Sequence, residues 1–159
     1  CRRQRQMCIR DSIGTTNYFK NSIRFPKEVV PRDDLIILRF DGQLFFGNIQ
    51  YFNQFITDTI SKNPAKVKGF IINMRSINYI DSTATEQLTK IILSMKKQEI
   101  RVMLVGAIGP ARDVILKSEI IHVLKKRNLF ITSGDATDSF DGICKKTSLQ
   151  KKLTQQNNP

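Results

Sequence analysis

A short hydroxyl-rich segment holds the residues of this sequence that are best placed to do chemistry. Asp81, Ser82 and Thr83 follow the strand-like apolar run 70–74 and precede an amphipathic stretch. Thr83 with Glu86 three residues later fits a capping box, in which a hydroxyl and a carboxylate each satisfy an orphan amide of the first helical turn. The spacing therefore predicts a hydroxyl-rich tip where a strand gives way to a helix. Capping by itself would account for these residue types.

A glycine-containing turn is the second candidate. Gly106 and Gly109 follow a short apolar run, and Pro110 and Arg112 come directly after them. Backbone amides at the start of a helix can face an anion, so Gly106, Gly109 and Arg112 are candidates for a weak anion contact. The segment has neither the lysine of a P-loop nor Gly-x-Gly-x-x-Gly spacing. An ordinary strand-to-helix turn is therefore the preferred interpretation, with the anion contact as the alternative.

The residue combinations used by enzymes and metal sites are missing from the sequence. His122 is the single histidine and lies among apolar neighbours, which predicts a half-buried structural role. No histidine is paired with a nucleophile, and the carboxylates are spread over separate elements. Cys1, Cys8 and Cys144 show neither metal-ligand spacing nor an even disulfide count. We therefore predict no catalytic residue, no cofactor and no metal.

Strands and helices that could position the tip follow from the apolar periodicity. Strands are predicted at 35–40, 43–46, 67–74, 102–105 and 129–132, the first two as a hairpin. Helices are predicted at about 49–62, 83–98, 110–124 and 135–144. This alternation predicts an α/β fold, with a central sheet of four to five strands and amphipathic helices packed over it.

The formal charge of +12 is concentrated at the two ends of the chain. Residues 1–12 carry four arginines against one aspartate, and residues 145–159 carry four lysines and no acid. The middle lacks a basic stripe interleaved with aromatic residues, which argues against a nucleic-acid partner. Contact between the basic ends and anionic lipid headgroups explains the placement at least as well.

Chain organisation is predicted as one domain with extensions. Residues 7–12 resemble the translation of a transposase adapter, so 1–12 is interpreted as a non-native leader. Residues 13–32 are predicted to be an extended connector, 33–142 the folded domain and 143–159 a basic disordered tail. No run of about 18 uncharged apolar residues occurs, which predicts a piece that is soluble by itself.

A strand, then Asp81-Ser82-Thr83-Ala84, then an amphipathic helix resembles the STAS domain, over roughly residues 33–142. The Pro-containing segment 25–31 and the aromatic segment 38–48 resemble the branch found in SulP-type anion transporters. The resemblance implies a cytosolic regulatory and interaction domain of a sulfate transporter, at the cytoplasmic face of a membrane. Implied partners are the transporter's own membrane domain, a second protomer, and a regulatory protein at the tip.

The resemblance also implies an alternative, a free-standing anti-sigma-factor antagonist. Thr83 occupies the place where those proteins are phosphorylated. A phosphate there would gain from the positive end of the helix dipole but would meet Asp81 and Glu86. Ala84 stands where the antagonists usually carry glycine, which weakens this alternative. The tip is therefore predicted to be a phosphoacceptor, a docking surface or a simple cap.

Overall fold

The structure is a computed structural model. It describes the backbone of residues 7–13 and 16–21, and residues 32–62 and 66–142 with their side chains. In chain order the elements are β1 (Met7–Ile13), β2 (Thr16–Asn21), β3 (Leu35–Phe40), α1 (Ile49–Ser61), β4 (Gly69–Asn73), α2 (Ser82–Lys97), β5 (Arg101–Val105), α3 (Gly109–Lys117), α4 (Glu119–Leu124), a 3-10 turn (Lys126–Asn128), β6 (Leu129–Phe130) and α5 (133–142).

One mixed sheet organises the described chain, in the order β2-β1-β3-β4-β5-β6. The four strands β3 to β6 are parallel, and β1 runs antiparallel to both β2 and β3. The parallel strands therefore share one carboxyl edge and one amino edge. Because each crossover helix begins where a strand ends, α1, α2 and α3 all begin near the carboxyl edge.

Helices cover both faces of the sheet, as the α/β prediction required. The larger core joins α1, α2, α3 and α4 to one face, and α2 contributes the predicted apolar series Ala84, Leu88, Ile91, Ile92 and Met95. A smaller core joins α5 to the other face, where Phe140 packs with Leu35, Ile37, Ile71 and Met103. The strands β3, β4 and β5 are buried on both sides, which explains their continuous rather than alternating apolar runs.

Gly69 allows the close approach of α5 to the sheet. A Cβ atom at this position would lie 2.6 Å from Cε2 of Phe140 and 2.7 Å from Cδ1 of Leu35. Both neighbours are almost completely buried, so neither side chain has room to move away. The first residue of β4 must therefore be the smallest one.

An ion-pair cluster ties the start of β3 to α5. Arg32 donates to Asp34 and to Asp141, each at 2.8 Å, and its guanidinium lies 5.8 Å from the centre of the Phe140 ring. The hydrogen bonds from Arg32 lower the pKa of the Asp34 carboxyl, while burial opposes that shift. The same bonds, first to Asp34 and then to Asp141, raise the pKa of Arg32.

The four parallel strands β3 to β6 match the predicted central sheet of four to five strands, and β1 and β2 extend it at one edge to six. β1 includes the second half of the segment interpreted as a leader, and β2 lies within the predicted connector. An unpaired edge of β3 offers backbone donors and acceptors to any extended segment, whatever its side chains. The pairing therefore does not test the leader interpretation. The predicted tail, 143–159, lies outside the described residues, as does Cys144.

The predicted hairpin between β3 and residues 43–46 is wrong. Both sides of β3 are already paired, with β1 and with β4. Leu44 instead makes a single parallel bridge to Ile80. The Leu44 amide donates to the Tyr79 carbonyl at 3.0 Å, and the Leu44 carbonyl accepts from the Asp81 amide at 3.2 Å. This short bridge brings residues 44–48 beside the predicted tip.

The amphipathic segment predicted from 110 to 124 is two helices rather than one. The chain leaves helical geometry at Ser118, whose ψ is 171°. The Ser118 hydroxyl accepts from the Ile120 amide at 3.3 Å and so caps α4. A serine that bonds to its own backbone competes with helix continuation, which explains the break.

Candidate functional site

Asp81 is the residue that organises the tip. Its backbone is extended, with φ −85° and ψ 172°, and its Oδ1 accepts from the Ala84 amide at 2.7 Å. This is an N-cap contact at the start of α2. The predicted capping box of Thr83 and Glu86 is therefore wrong, because Asp81 takes the cap two residues earlier. Thr83 lies inside the first turn instead.

The second carboxylate oxygen of Asp81 holds a different part of the chain. Oδ2 accepts from the Phe46 amide at 2.9 Å, across 35 positions in sequence. Asn48 closes the same turn, since its Oδ1 accepts from the Phe45 amide at 2.9 Å and its Nδ2 donates to the Gln43 carbonyl at 2.7 Å. The helix start and the aromatic turn are therefore fixed to each other by one side chain.

Two exposed aromatic rings project from this turn. Phe46 is 70% exposed, and its ring packs edge-on against the Phe45 ring at 5.8 Å between centroids. Tyr79 directly precedes Ile80, the bridge partner of Leu44, and is 50% exposed. Together with the exposed residues Ser82 and Thr83 of the adjoining helix start, these rings make up what we call the tip surface (Phe45, Phe46, Tyr79, Ser82 and Thr83).

Sequence reasoning missed the aromatic part of this surface. Residues 43–46 were interpreted as a strand, which would have turned one ring toward the core. The overlooked signal is the pair Phe45-Phe46 followed by Gly47 and Asn48. Successive strand residues point to opposite faces, so adjacent rings cannot both be buried in a half-covered strand, and glycine with asparagine marks a turn.

An open groove runs beside the tip, between α2 and the helices α3 and α4. It measures about 420 Å³ and is lined by Ile80, Ser82, Thr85, Glu86, Thr89, Val114 and Glu119. The Thr85 hydroxyl donates to the Asp81 carbonyl at 2.7 Å, and the Thr89 hydroxyl donates to the Thr85 carbonyl at 2.9 Å. Within the described residues the side chains of Ser82 and Thr83 make no such bonds.

The glycine turn lies at the same carboxyl edge, after β5. Gly106 is buried at φ 70°, and its amide donates to the Phe130 carbonyl at 3.0 Å, so this amide faces the sheet. Gly109, at φ 54°, is the first residue of α3, and Arg112 is exposed on that helix. The anion contact stays a prediction, and Gly109 and Arg112 are the residues left to make it.

The histidine and the carboxylates do not gather into a reactive cluster in the described part of the chain. His122 is exposed on α4, so the predicted half-buried position is wrong. The reason is the break at Ser118, which starts a new helix whose buried positions are Ile120, Ile121 and Leu124. Among residues 32–62 and 66–142, no three His, Cys, Asp or Glu side chains are placed to hold a metal ion.

A parallel sheet covered on both faces, with a capped helix following a buried strand, defines a STAS-type α/β domain. A sequence model of the STAS domain family matches residues 26–136. This chain belongs to that family. Among curated proteins, the chain is similar to "Sulfate transporter 1.1" of Arabidopsis thaliana, at 22% identity over 132 residues, covering 78% of this chain and 20% of that protein.

Solved structures share the fold. Murine Slc26a9, an anion transporter in the inward-facing state, matches 83% of this chain with 21% of its own, at 15% identity and a TM-score of 0.76. The STAS domain of a SulP transporter from Vibrio cholerae matches 78% of this chain with 93% of its own, at 17% identity and a TM-score of 0.61. The anti-sigma factor antagonist SpoIIAA in its unphosphorylated form gives a TM-score of 0.54 at 15% identity, over 71% of this chain and 93% of its own.

The chain corresponds to a part of its transporter relatives. It spans 16 to 22% of the length of the first curated sulfate transporters that it matches. Among the described residues, no helix combines the length and the apolar character that a membrane crossing needs.

Proposed function

We propose that this chain is the cytoplasmic interaction and regulatory domain of a SulP-type inorganic-anion transporter, with sulfate as the expected anion. Two findings support the proposal. The curated relatives are named as sulfate transporters, and the chain aligns with about a fifth of their length. The transport site would then lie in a membrane domain outside this sequence. The domain would act through protein contacts rather than through chemistry of its own.

The single observation that carries the interaction role is the tip surface. Exposed rings bury substantial apolar area when a partner covers them, and aromatic residues are enriched in the centres of protein interfaces. Phe46 alone is 70% exposed, and Asp81 holds its backbone in place before any partner arrives. A surface fixed in advance loses little conformational freedom on binding. The membrane domain of the same transporter is the partner we propose for it.

The assignment to a transporter is tested at the native locus. We expect the reading frame upstream of Ile13 to encode several apolar spans of about 20 residues each. A start codon immediately before this position, next to a gene for a kinase-type anti-sigma factor, would contradict the proposal. The same sequencing would decide whether residues 1–12 are foreign to the protein.

The docking role is tested in the complete transporter. Replacing Phe45 and Phe46 together by serine should weaken association of this domain with the membrane domain, measured by cross-linking yield, and should change the uptake of labelled sulfate. Leu93→Ser is the matched control, because Leu93 is 42% exposed on α2 but lies three turns from the tip. Equal effects of the two changes would count against the tip surface as the docking site.

A second candidate function, a phosphorylation switch at Thr83, is favoured by one observation. Thr83 is exposed in the first turn of α2, and its hydroxyl has no partner among the described residues. A phosphate there would lie near the positive end of the helix, close to the docking rings, and would add a charge of about −1.5 to −2. Docking could then be released by modification of the same tip.

Mass spectrometry of the protein isolated from its own cells tests this second function. A phosphopeptide that places the phosphate on Thr83, with a fraction that changes with growth conditions, would support the switch. Thr83→Glu should then reproduce the loss of docking that Phe45→Ser/Phe46→Ser produces, while the neutral Thr83→Gln should not. Persistent absence of phosphate under all conditions would leave Thr83 as a helix residue only.

A further inference from the structure

A second cavity lies at the opposite edge of the sheet, where β5 begins. It measures about 470 Å³ and opens to solvent between the end of α2 and the 3-10 turn after α4. Its floor is apolar, formed by Ile100, Val102 and Leu124, and its polar lining is Lys96, Glu99, Arg101, Arg127 and Asn128. Three basic residues and one acidic residue thus line a space large enough for a small ligand.

Side-chain contacts hold part of this basic lining in place. Arg101 donates from Nε to Asn128 Oδ1 at 3.0 Å and from both terminal nitrogens to Ser139, at 3.1 and 3.2 Å. Lys96 donates to the Val123 carbonyl at 2.8 Å. The Arg127 guanidinium has no ion pair or hydrogen bond to another described residue, although it is exposed beside these two cations.

Helix polarity explains only some of these charges. Lysines are favoured at helix ends, which accounts for Lys96 and Lys97 in the last turn of α2. Arg101 is the first residue of a strand, and Arg127 lies in a 3-10 turn, so the dipole of α2 gives no reason for either. The charge preference of a helix end therefore explains Lys96 but not the other basic residues that line the cavity.

Backbone strain at Lys125 is an independent observation at the same place. This residue has φ 68° and ψ 140°, close to a region that glycine almost alone adopts. It connects Leu124 of the floor to the turn that carries Arg127 and Asn128. Only one other non-glycine residue in the described chain has a positive φ, namely Glu99, and it lines this same cavity. The two strained residues therefore both lie at the cavity, Glu99 in its lining and Lys125 next to Leu124 in sequence.

We propose that this cavity binds a compact group carrying two or more phosphates. The cation excess suits a multiply charged anion, and the volume exceeds the need of one tetrahedral oxyanion, since a water molecule occupies about 30 Å³. Arginine presents paired donors that match phosphate oxygens, while Lys96 adds a further positive charge. The group is either a free polyphosphate or the headgroup of a phosphorylated lipid. The proposal is independent of the docking role of the tip surface.

Titration calorimetry on the full chain tests the proposal, with inorganic tripolyphosphate as the probe at about 0.1 M salt, where the Debye length is about 10 Å. We expect saturable binding of one equivalent. Lys96→Gln/Arg127→Gln should weaken it roughly tenfold or more, because two charge-assisted contacts are lost. Lys90→Gln/Lys117→Gln is the matched control, since both lysines are exposed elsewhere on α2 and α3, and it should change affinity less than about twofold.

Two single substitutions distinguish a loss of binding from a loss of folding stability. Arg127→Gln alone removes a side chain with no described partner, so it should weaken binding while leaving urea unfolding unchanged. Glu99→Gln removes the opposing carboxylate and should strengthen binding about twofold. Equal losses in the cavity and control variants, or no saturable binding at all, would overturn the proposal. Inorganic sulfate binding as tightly as tripolyphosphate would overturn the requirement for more than one phosphate.

Vesicles separate the two sources of the phosphate group. Phosphatidylcholine vesicles carrying phosphatidylinositol bisphosphate are compared with vesicles carrying phosphatidylserine at the same total charge. Recruitment that favours the bisphosphate, falls in Arg127→Gln and is reversed by tripolyphosphate supports the lipid headgroup. Equal recruitment by both vesicles, with tripolyphosphate binding intact in solution, supports a free polyphosphate.

Discussion

The two edges of the parallel sheet differ in chemistry. The carboxyl edge carries the Asp81 carboxylate, exposed rings and hydroxyls, and a groove lined by Glu86 and Glu119. The amino edge carries the cavity lined by lysine and arginine. The basic last turn of α2 accounts for Lys96 at the amino edge, because cations are favoured where a helix ends. The carboxyl edge owes its character to the Asp81 cap and the exposed rings, since α1, α2 and α3 have no acidic residue in the first turn.

A Gly69→Ala substitution should produce the largest effect and should damage the amino edge selectively. The new Cβ would overlap Phe140 and Leu35, so we expect a loss of about 2 to 3 kcal/mol in the free energy of unfolding. Urea denaturation measures it. Gly142→Ala is the control, because a Cβ there meets nothing within 4 Å. Similar midpoints for the two variants would contradict close packing at Gly69.

An Asp81→Ala substitution tests how the carboxyl edge is held. Loss of the cap and of the Phe46 contact should cost about 1 to 2 kcal/mol of unfolding free energy. Hydrogen exchange should accelerate at the amides of Phe46 and Ala84 and stay unchanged around Arg101. Asp113→Ala, at an exposed position of α3, serves as control. Unchanged exchange at Phe46 would show that the aromatic turn is held by other contacts.

Lys125→Gly should stabilise the protein, in contrast to the two changes above. Relief of the positive-φ strain outweighs the greater chain entropy of glycine, for a gain of about 1 kcal/mol in unfolding free energy. Lys126→Gly, one residue later in the 3-10 turn, should not be stabilising. A destabilised Lys125→Gly protein would remove the argument from strain.

The smallest expected effect concerns the pH dependence of the Arg32 cluster. Hydrogen bonding to Arg32 lowers the pKa of Asp34 below its unfolded value of 3.8, so the folded state binds its proton less readily. The contribution of Asp34 to the free energy of unfolding is fully present above the pKa of the unfolded state. It is lost as pH falls through the lower pKa of the folded state. Because Asp34 is half exposed, we expect Asp34→Asn to cost about 0.5 kcal/mol at pH 7. Asp33→Asn is the control, and the difference between the two variants should shrink in acid.

Much of the fold could be predicted from sequence because burial and periodicity agree along it. The apolar runs of β4 and β5 and the helical series of α2 lie within two residues of the predicted bounds. The hairpin prediction was wrong because Asp41-Gly42 indicates only a local turn. A local turn does not determine which strands pair with the two edges of β3, and these are β1 and β4. Strand pairing is decided by the whole chain.

The candidate sites could likewise be predicted from sequence only where their contacts are local. Asp81, Ser82 and Thr83 could be placed at a helix start because cap chemistry is local. The partnership of Asp81 with Phe46 joins positions 35 residues apart, and the cavity at Arg101 draws its lining from four separate elements. No local sequence pattern indicates either the Asp81–Phe46 hydrogen bond or the cavity at Arg101. The exposed rings were detectable in principle, from two aromatic residues followed by a glycine.

The position of α5 sets the order in which this protein can be completed on the ribosome. Phe140 closes the face of the sheet that Ile37, Ile71 and Met103 share, and it is among the last described residues to be translated. At about 5 to 20 residues per second, the finished strands wait for seconds with that face open to water. A nascent chain halted before Phe140 would expose the apolar face of the sheet that α5 normally covers. We expect chaperones to bind that exposed face.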